Sequence, residues 1–156
     1  MAIKYTESYY VRVLLNKVQL KEIMTSPPIS VREDAPFSLV AEKIEGNRIR
    51  HLPIVDKDNK LVGIMSQRDL YKIQPPHKLE GGEWYYDKEM LDGIILRTVM
   101  TPNPFALKPD NTVGQAIIAM VNHKYGCIPV VDDKRTLLGI VTQIDILKMA
   151  VAILVE

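Results

Sequence analysis

The sequence lacks most of what would place it in a specialised class. It holds a single cysteine, Cys127, so no disulfide can close within the chain, and a reducing, cytoplasmic setting is expected. Neither sign of charge dominates, with 20 Lys and Arg against 19 Asp and Glu. A dedicated nucleic-acid binder needs a basic excess for its phosphate contacts, so no nucleic-acid partner is expected. No apolar run approaches the roughly 20 residues that cross a bilayer, and residues 1–7 contain no apolar signal core. No membrane association is expected. The apolar stretch 149–155 is too short to span and is expected to end a helix that packs on the body or on a partner. His51, His77 and His123 have no metal-ligand spacing with one another or with Cys127. There is no Ser-His-Asp set, nucleophile elbow, phosphate-binding loop or paired catalytic carboxylate. Neither a metal nor an enzymatic activity is expected.

The near-zero charge conceals an asymmetry. Residues 1–78 carry 13 basic and 9 acidic side chains, and the remainder 7 and 10. The 156 residues suffice for one domain of ordinary size with a real apolar core.

What the chain does have is an internal repeat. Sliding it by 76 places Met24-Thr25 on Met100-Thr101, Pro28 on Pro104, Asp34 on Asp110, Pro53 on Pro129 and Val55-Asp56 on Val131-Asp132. Gly63-Ile64 then meets Gly139-Ile140, Gln67 meets Gln143, and Asp69 meets Asp145. Without a gap, residues 20–73 and 96–149 share 14 identities over 54 positions, where unrelated sequences of ordinary composition would share roughly three. Each copy opens with Met-Thr and a Pro-containing extended piece. Phe37, Val40, Ala41 and Ile44, and likewise Val113, Ala116, Ile117 and Met120, then follow the i, i+3, i+4, i+7 spacing of an amphipathic helix. Two short apolar runs, 52–55 with 61–65 and 128–131 with 137–141, flank the turn formers Asp56-Lys57-Asp58-Asn59 and Asp132-Asp133-Lys134-Arg135. Ser66 and Thr142 each open a second helix, 67–73 and 143 to about 150.

The expected fold class is therefore α/β, of the α+β kind: two β-α-β-β-α repeats related by a pseudo-twofold axis, with an N-terminal helix. A unit of ~54 residues buries little surface alone, so the copies are expected to share one core and to create two equivalent clefts. The expected divisions are a leading helical segment 1–19, repeats at 20–73 and 96–150, a linker 74–95 and a tail 151–156. In the leading helix, Tyr9, Val13 and Leu14 are expected to share a face that joins a dimer interface. The linker combines breakers (Pro75-Pro76, Gly81-Gly82) with Trp84-Tyr85-Tyr86, aromatics that can pack or stack on a base.

The segments Leu52-Pro53-Ile54-Val55-Asp56 and Gly63-Ile64-Met65-Ser66-Gln67-Arg68-Asp69, with Ile128-Pro129-Val130-Val131-Asp132 and Gly139-Ile140-Val141-Thr142-Gln143-Ile144-Asp145, resemble the cystathionine β-synthase (CBS) domain. Two in tandem make a Bateman module. The most specific piece is Gly-apolar-x-Ser/Thr-x-x-Asp after an apolar strand, present twice. The resemblance implies a regulatory adenine-nucleotide-binding module (AMP, ADP or ATP) without catalytic activity of its own, standing alone and signalling through a homodimer to a client protein. It implies that Asp69 and Asp145 take the ribose hydroxyls and that Ser66 and Thr142 approach ribose or phosphate. The base is then flanked by Ile29-Ser30-Val31 and His51-Leu52-Pro53 in the first copy, and by Phe105-Ala106-Leu107 and Cys127-Ile128-Pro129 in the second. A carboxylate can accept two hydroxyl protons, and a hydroxyl at a helix start sits beside free N–H donors that attract phosphate. An S-adenosylmethionine sensor, or a purely structural interaction module with empty clefts, is the alternative.

Plainer readings exist for the same residues. Ser66-x-x-Asp69 and Thr142-x-x-Asp145 have the spacing of capping boxes. Gly63 and Gly139 either relieve crowding or admit a ligand. Arg50, His51 and Arg68 either supply cations to a phosphate or are ordinary surface residues. Their counterparts Gly126, Cys127 and Ile144 are uncharged, so the first copy is the better equipped for phosphate. Cys127 itself has the character of a small buried apolar residue.

Overall fold

A computed structural model describes residues 5–155. The leading residues 1–4 and Glu156 lie outside the described residues. In chain order the elements are α1 (Tyr5–Lys17), α2 (Leu20–Ile23), β1 (Val31–Arg32), α3 (Phe37–Gly46), β2 (His51–Val55), β3 (Leu61–Ser66), α4 (Gln67–Ile73), β4 (His77–Lys78) and β5 (Trp84–Tyr85). They continue with α5 (Lys88–Asp92), α6 (Leu96–Val99), β6 (Thr101–Pro102), α7 (Val113–His123), β7 (Cys127–Val131), β8 (Leu137–Thr142) and α8 (Gln143–Val155). The mixed α/β character and the repeated helix, hairpin and helix are those the periodicity predicts.

The compact units do not coincide with the sequence repeats. A central unit comprises Ile29–Pro104, and a terminal unit joins Met1–Pro28 to Phe105–Glu156. The opening arm of each repeat thus builds the sheet of the other. In the central unit the strand order is β1-β2-β3-β6, in which β6 comes from the second repeat. β1 runs parallel to β2, and β3 is antiparallel to both β2 and β6. In the terminal unit β7 and β8 pair antiparallel, Leu107 bridges Val130 in parallel, and Thr25 of the first repeat bridges Ile140 antiparallel. The order is the same, with isolated bridges replacing the short outer strands.

The repeat extends to atomic detail. Both hairpins carry a bulge, between Ile54 and Val55 and between Val130 and Val131. In both turns an Asp side chain ties the loop: Asp56 Oδ1 accepts from the N–H groups of Asp58 and Lys60, each at 2.9 Å, and Asp132 Oδ1 from those of Lys134 at 2.9 Å and Thr136 at 2.8 Å. These bonds stabilise the ionised carboxyl, so Asp56 and Asp132 both lie below the usual carboxylate range.

The buried apolar residues form two clusters, one in each unit, where the repeat predicts a single shared core. In the central unit Phe37, Val40, Ala41 and Ile44 of α3 pack with Leu52, Ile54, Met65 and Leu70. Burying Phe37 completely contributes about 1.5–3 kcal/mol relative to exposure. In the terminal unit Val113, Ala116 and Met120 of α7 pack with Leu20, Ile128, Val130 and Val141, while Ile117 is half-buried at the margin. The N-terminus of α7 is closed by a Thr112–Gln115 capping box, whereas α3 starts after Pro36, which offers no side-chain cap, and its Ser38 N–H donates instead to Asp92 Oδ1 at 3.2 Å.

α1 faces the terminal-unit core through Leu15, followed by Val18, and is seated where Gly114 of α7 admits the Leu15 carbonyl; Tyr9 and Leu14 stay exposed and Val13 half-buried. Two local expectations change. The linker is structured: β4 and β5 form a hairpin, Tyr86 packs on the central-unit core, and α5 buries Leu91, while Trp84 stays 64% exposed. Asp87 starts α5 by accepting from the Glu89 and Met90 N–H groups, so the charged stretch supplies a cap. Finally, α8 does not stop near Ala150 but continues to Val155, since the run after it contains neither Gly nor Pro to end it.

Candidate functional site

The predicted residues of the first copy all lie in the central unit. The β2–β3 register sets His51 opposite Ser66, and the Gln67 N–H donates to the Arg50 carbonyl at 2.8 Å, so residues 50–51 stand at the start of α4. There Ser66 and Asp69 form a complete capping box. The Ser66 N–H and hydroxyl donate to Asp69 Oδ2 at 3.0 and 2.6 Å, and the Asp69 N–H donates back to Ser66 Oγ at 3.1 Å. Both carboxyl contacts fall on Oδ2. Among the described residues no hydrogen bond is made to Oδ1, which retains its acceptor capacity. Leu52 and Pro53 are buried in β2, and Val31 is buried opposite Ile54, while Ser30 is half-buried and Ile29 exposed.

The terminal unit repeats the arrangement. Cys127 pairs with Thr142, and the Gln143 N–H donates to the Gly126 carbonyl at 3.3 Å. The Thr142 N–H and hydroxyl donate to Asp145 Oδ2 at 2.7 and 2.9 Å, and the Asp145 N–H lies 3.4 Å from Thr142 Oγ1. Leu107 is held beside β7 by its N–H to the Pro129 carbonyl at 3.0 Å and by its carbonyl to the Val131 N–H at 2.9 Å. Cys127, Ile128 and Pro129 are buried, Ala106 and Leu107 half-buried, and Phe105 is 42% exposed.

The motif glycines serve packing. A Cβ on Gly63 would collide with the Met100 side chain, and one on Gly139 would meet Met24 Sδ at 2.6 Å and the Thr25 carbonyl oxygen at 3.0 Å. The Met-Thr and the glycine, two of the most recognisable pieces of the repeat, are therefore partners, each methionine seated on the glycine of the opposite copy.

Electrostatics separate the copies. Burial holds His51 below its ordinary value, with Asp69 pulling it up and Arg50 pushing it down. Its counterpart Cys127 is neutral, because burial pushes the thiol up to about 12. Arg50 and Arg68 are exposed and join no ion pair among the described residues. A cavity of about 340 Å³ adjoins Ser30 and Val31, but its other walls are Arg32, Asp34, Ala35, Leu39, Lys43 and Val55; Ser66 and Asp69 do not line it.

The CBS domain family matches the chain over residues 20–75 and again over residues 96–152. The chain belongs to the CBS domain family. It is a CBS pair, a regulatory module, and no helix among its described residues is long and apolar enough to cross a membrane. An uncharacterized protein of Methanocaldococcus jannaschii is 33% identical, across 88% of this chain and 98% of that protein. A CBS domain-containing protein of Dictyostelium discoideum is 30% identical, across 88% and 94%. The L-aspartate semialdehyde sulfurtransferase of M. jannaschii is 32% identical, but the chain spans only 23% of it. Among solved structures, the CBS pair of protein MJ0100, crystallised with 5′-methylthioadenosine and S-adenosyl-L-methionine, superimposes with a TM-score of 0.70 at 29% identity over 86% of this chain and 97% of that one. CBSX2, crystallised with AMP, shares the fold with a TM-score of 0.72 at 22% identity, over 87% and 98%.

One feature of the second CBS copy escapes the repeat comparison. Tyr125 stacks on Phe105 at 5.6 Å between ring centroids with a 23° interplanar angle, and on His123 at 5.2 Å and 20°. The first copy has Ile29, Ile49 and Asn47 at these positions. Tyr125 is not among the identities of the repeat, since its partner is aliphatic; its signal in the sequence is the set of rings at Phe105, His123 and Tyr125 beside a base-flanking segment.

Proposed function

We propose that this CBS pair is a sensor of adenine nucleotides, AMP, ADP or ATP, bound as regulatory ligands and not as catalytic cofactors. The observation that carries the reading is the repeated box: each of Asp69 and Asp145 spends one oxygen on its own helix cap and keeps the other for a ligand. A carboxylate oxygen so placed, beside a hydroxyl and a strand end, suits the paired hydroxyls of a ribose. Ser66 and Thr142 lie within reach of the same sugar or its phosphate, and Arg50, His51 and Arg68 offer cationic donors in the first copy only. The base is flanked by Ile29, Ser30, Val31, Leu52 and Pro53 in the first copy, and by Phe105, Ala106, Leu107, Cys127, Ile128 and Pro129 in the second.

Signalling goes through a cytoplasmic homodimer that presents occupancy to a client protein. The support is α8, on which Ile144, Leu147, Val151 and Leu154 are all exposed, Leu154 by 83%. Their i, i+3, i+7, i+10 spacing makes one apolar stripe, which a second copy would cover. Ligand shifts the dimer only by its differential affinity for the two packings.

S-adenosylmethionine is the second reading, favoured by the likeness to the MJ0100 pair. Isothermal titration with AMP, ADP, ATP and S-adenosylmethionine, repeated on Asp69→Ala and Asp145→Ala, tests both. The sensor predicts saturable heat with at least one of them, lost in the Asp variants. Absence of heat with all four, with the variants changing stability alone, would leave a structural module.

A further inference from the structure

The two candidate sites share backbone and box but differ in what surrounds them. Around the first stand Arg48, Arg50, His51 and Arg68; the corresponding positions of the second hold Lys124, Gly126, Cys127 and Ile144. Three of four cation-capable positions are thus neutral in the second copy, and the residue facing Thr142 is a buried, protonated thiol. Conversely, the second copy holds three near-parallel rings where the first has aliphatic and amide side chains.

The ring stack is positioned for a ligand. Phe105 directly precedes Ala106-Leu107, which the hydrogen bonds to Pro129 and Val131 fix against β7. The Tyr125 carbonyl accepts from the Gln143 side-chain amide at 3.5 Å, which ties the Tyr125 backbone to the first turn of α8, two residues before Asp145. Phe105 and His123 also lie near one another, 6.3 Å between centroids at 30°, so the three rings form a compact cluster whose exposed members, Phe105 and His123, can meet a planar base. Aromatic stacking is indifferent to charge at the far end of the ligand, whereas a phosphate must find cations to repay its desolvation.

We infer that the two sites divide adenosine ligands by charge: the central-unit site takes the 5′-phosphorylated nucleotide, and the terminal-unit site takes an adenosine whose 5′ end carries no phosphate, such as a nucleoside or thioether. The inference rests on the proposed adenine-nucleotide function and assigns a ligand class to each half of it.

The test is calorimetry on the full chain with AMP and 5′-methylthioadenosine as probes. AMP is expected to saturate one site per chain, and 5′-methylthioadenosine to bind a second site on the AMP-saturated protein. Phe105→Ala and Tyr125→Ala are expected to weaken 5′-methylthioadenosine by about tenfold or more, the usual scale for losing a stacking ring, and to leave AMP within twofold. Arg50→Ala with Arg68→Ala is expected to do the reverse. Tyr125→Phe keeps the ring and is expected to keep 5′-methylthioadenosine binding; because Phe105 is 42% exposed and outside the buried core, its variant reports on the site even if Tyr125→Ala fails to fold. Full competition between the probes for the same sites, or equal loss of both in every variant, overturns the division while preserving the adenine sensor. Binding of neither probe overturns the division, and the sensor falls with it only if ADP, ATP and S-adenosylmethionine also give no heat.

Discussion

The central and terminal units carry the same strand order, the same bulge, the same Asp-anchored turn and the same Ser/Thr-x-x-Asp box, yet their surroundings diverge wherever the backbone leaves a side chain free. The first copy accumulates cations near its box, the second aromatic rings. The second helix of the first copy stops after seven residues, while that of the second runs for thirteen with an apolar stripe exposed. Duplication has kept the parts that specify the fold and released those that choose ligand and partner.

The strongest way to test how equivalent the units are is at the methionine seats. Gly139→Ala pushes against Met24 and also against the Thr25 carbonyl oxygen, a backbone atom that cannot swing away; Gly63→Ala pushes against the Met100 side chain alone. We expect Gly139→Ala to cost about 1–3 kcal/mol, the usual range for overpacking, and Gly63→Ala distinctly less, measured by urea denaturation. Equal losses would mean that the two seats are equally rigid. Next come the caps. Ser66→Ala and Thr142→Ala should each cost about 1 kcal/mol, with the larger loss at Ser66, whose amide return bond is 3.1 Å against 3.4 Å at Thr142.

A pH titration sharpens the contrast in charge. His51 is held below its usual value by burial, between the opposing influences of Asp69 and Arg50. A phosphate beside it would favour the imidazolium, so AMP affinity at the central-unit site should rise as pH falls from 8 to 6, relative to a His51→Asn control that removes phosphate protonation from the comparison. Cys127 gives the other site no such slope, since its thiol titrates near 12. Without ligand the sign reverses. A depressed His pKa leaves stability unaffected above about 6.5, the unfolded value, and lowers it below, where the unfolded chain takes the proton first. The smallest effect is expected at the turns. Asp56 and Asp132 have depressed values, so their contribution is present above the ordinary carboxylate range and disappears as pH falls through the folded value. Asp56→Asn and Asp132→Asn should each flatten the acid limb of the stability curve, equally if the turns are as alike as their hydrogen bonds.

The repeat, the α3 and α7 faces, both hairpins and both boxes were legible because each is a local pattern: a period, a turn sequence or a three-residue spacing. The exchange of arms was not. A fixed offset matches Met24 to Met100 without revealing which sheet either joins, and Gly63 and Gly139 acquire a meaning only once the methionine above them is known. The length of α8 rests on an absence: the run after Ala150 holds neither Gly nor Pro, and only the lack of a breaker distinguishes a continued helix from a tail. Of the site, the Asp and Ser/Thr residues follow from spacing, whereas the ring stack requires Phe105 and Tyr125, twenty residues apart, to meet.

The exchanged arms set a rule for assembly. A solitary repeat would carry an arm with no glycine seat of the other copy to receive it and a sheet with one edge open, and it could satisfy both only by trading arms with a second molecule. Its folding would then depend on concentration, as a bimolecular reaction does. Joining two repeats in one chain replaces that encounter with an intramolecular one, at the effective millimolar concentrations that short tethers provide. The linker between the copies, whatever else its hairpin does, turns a process that dilution could reverse into one that it cannot.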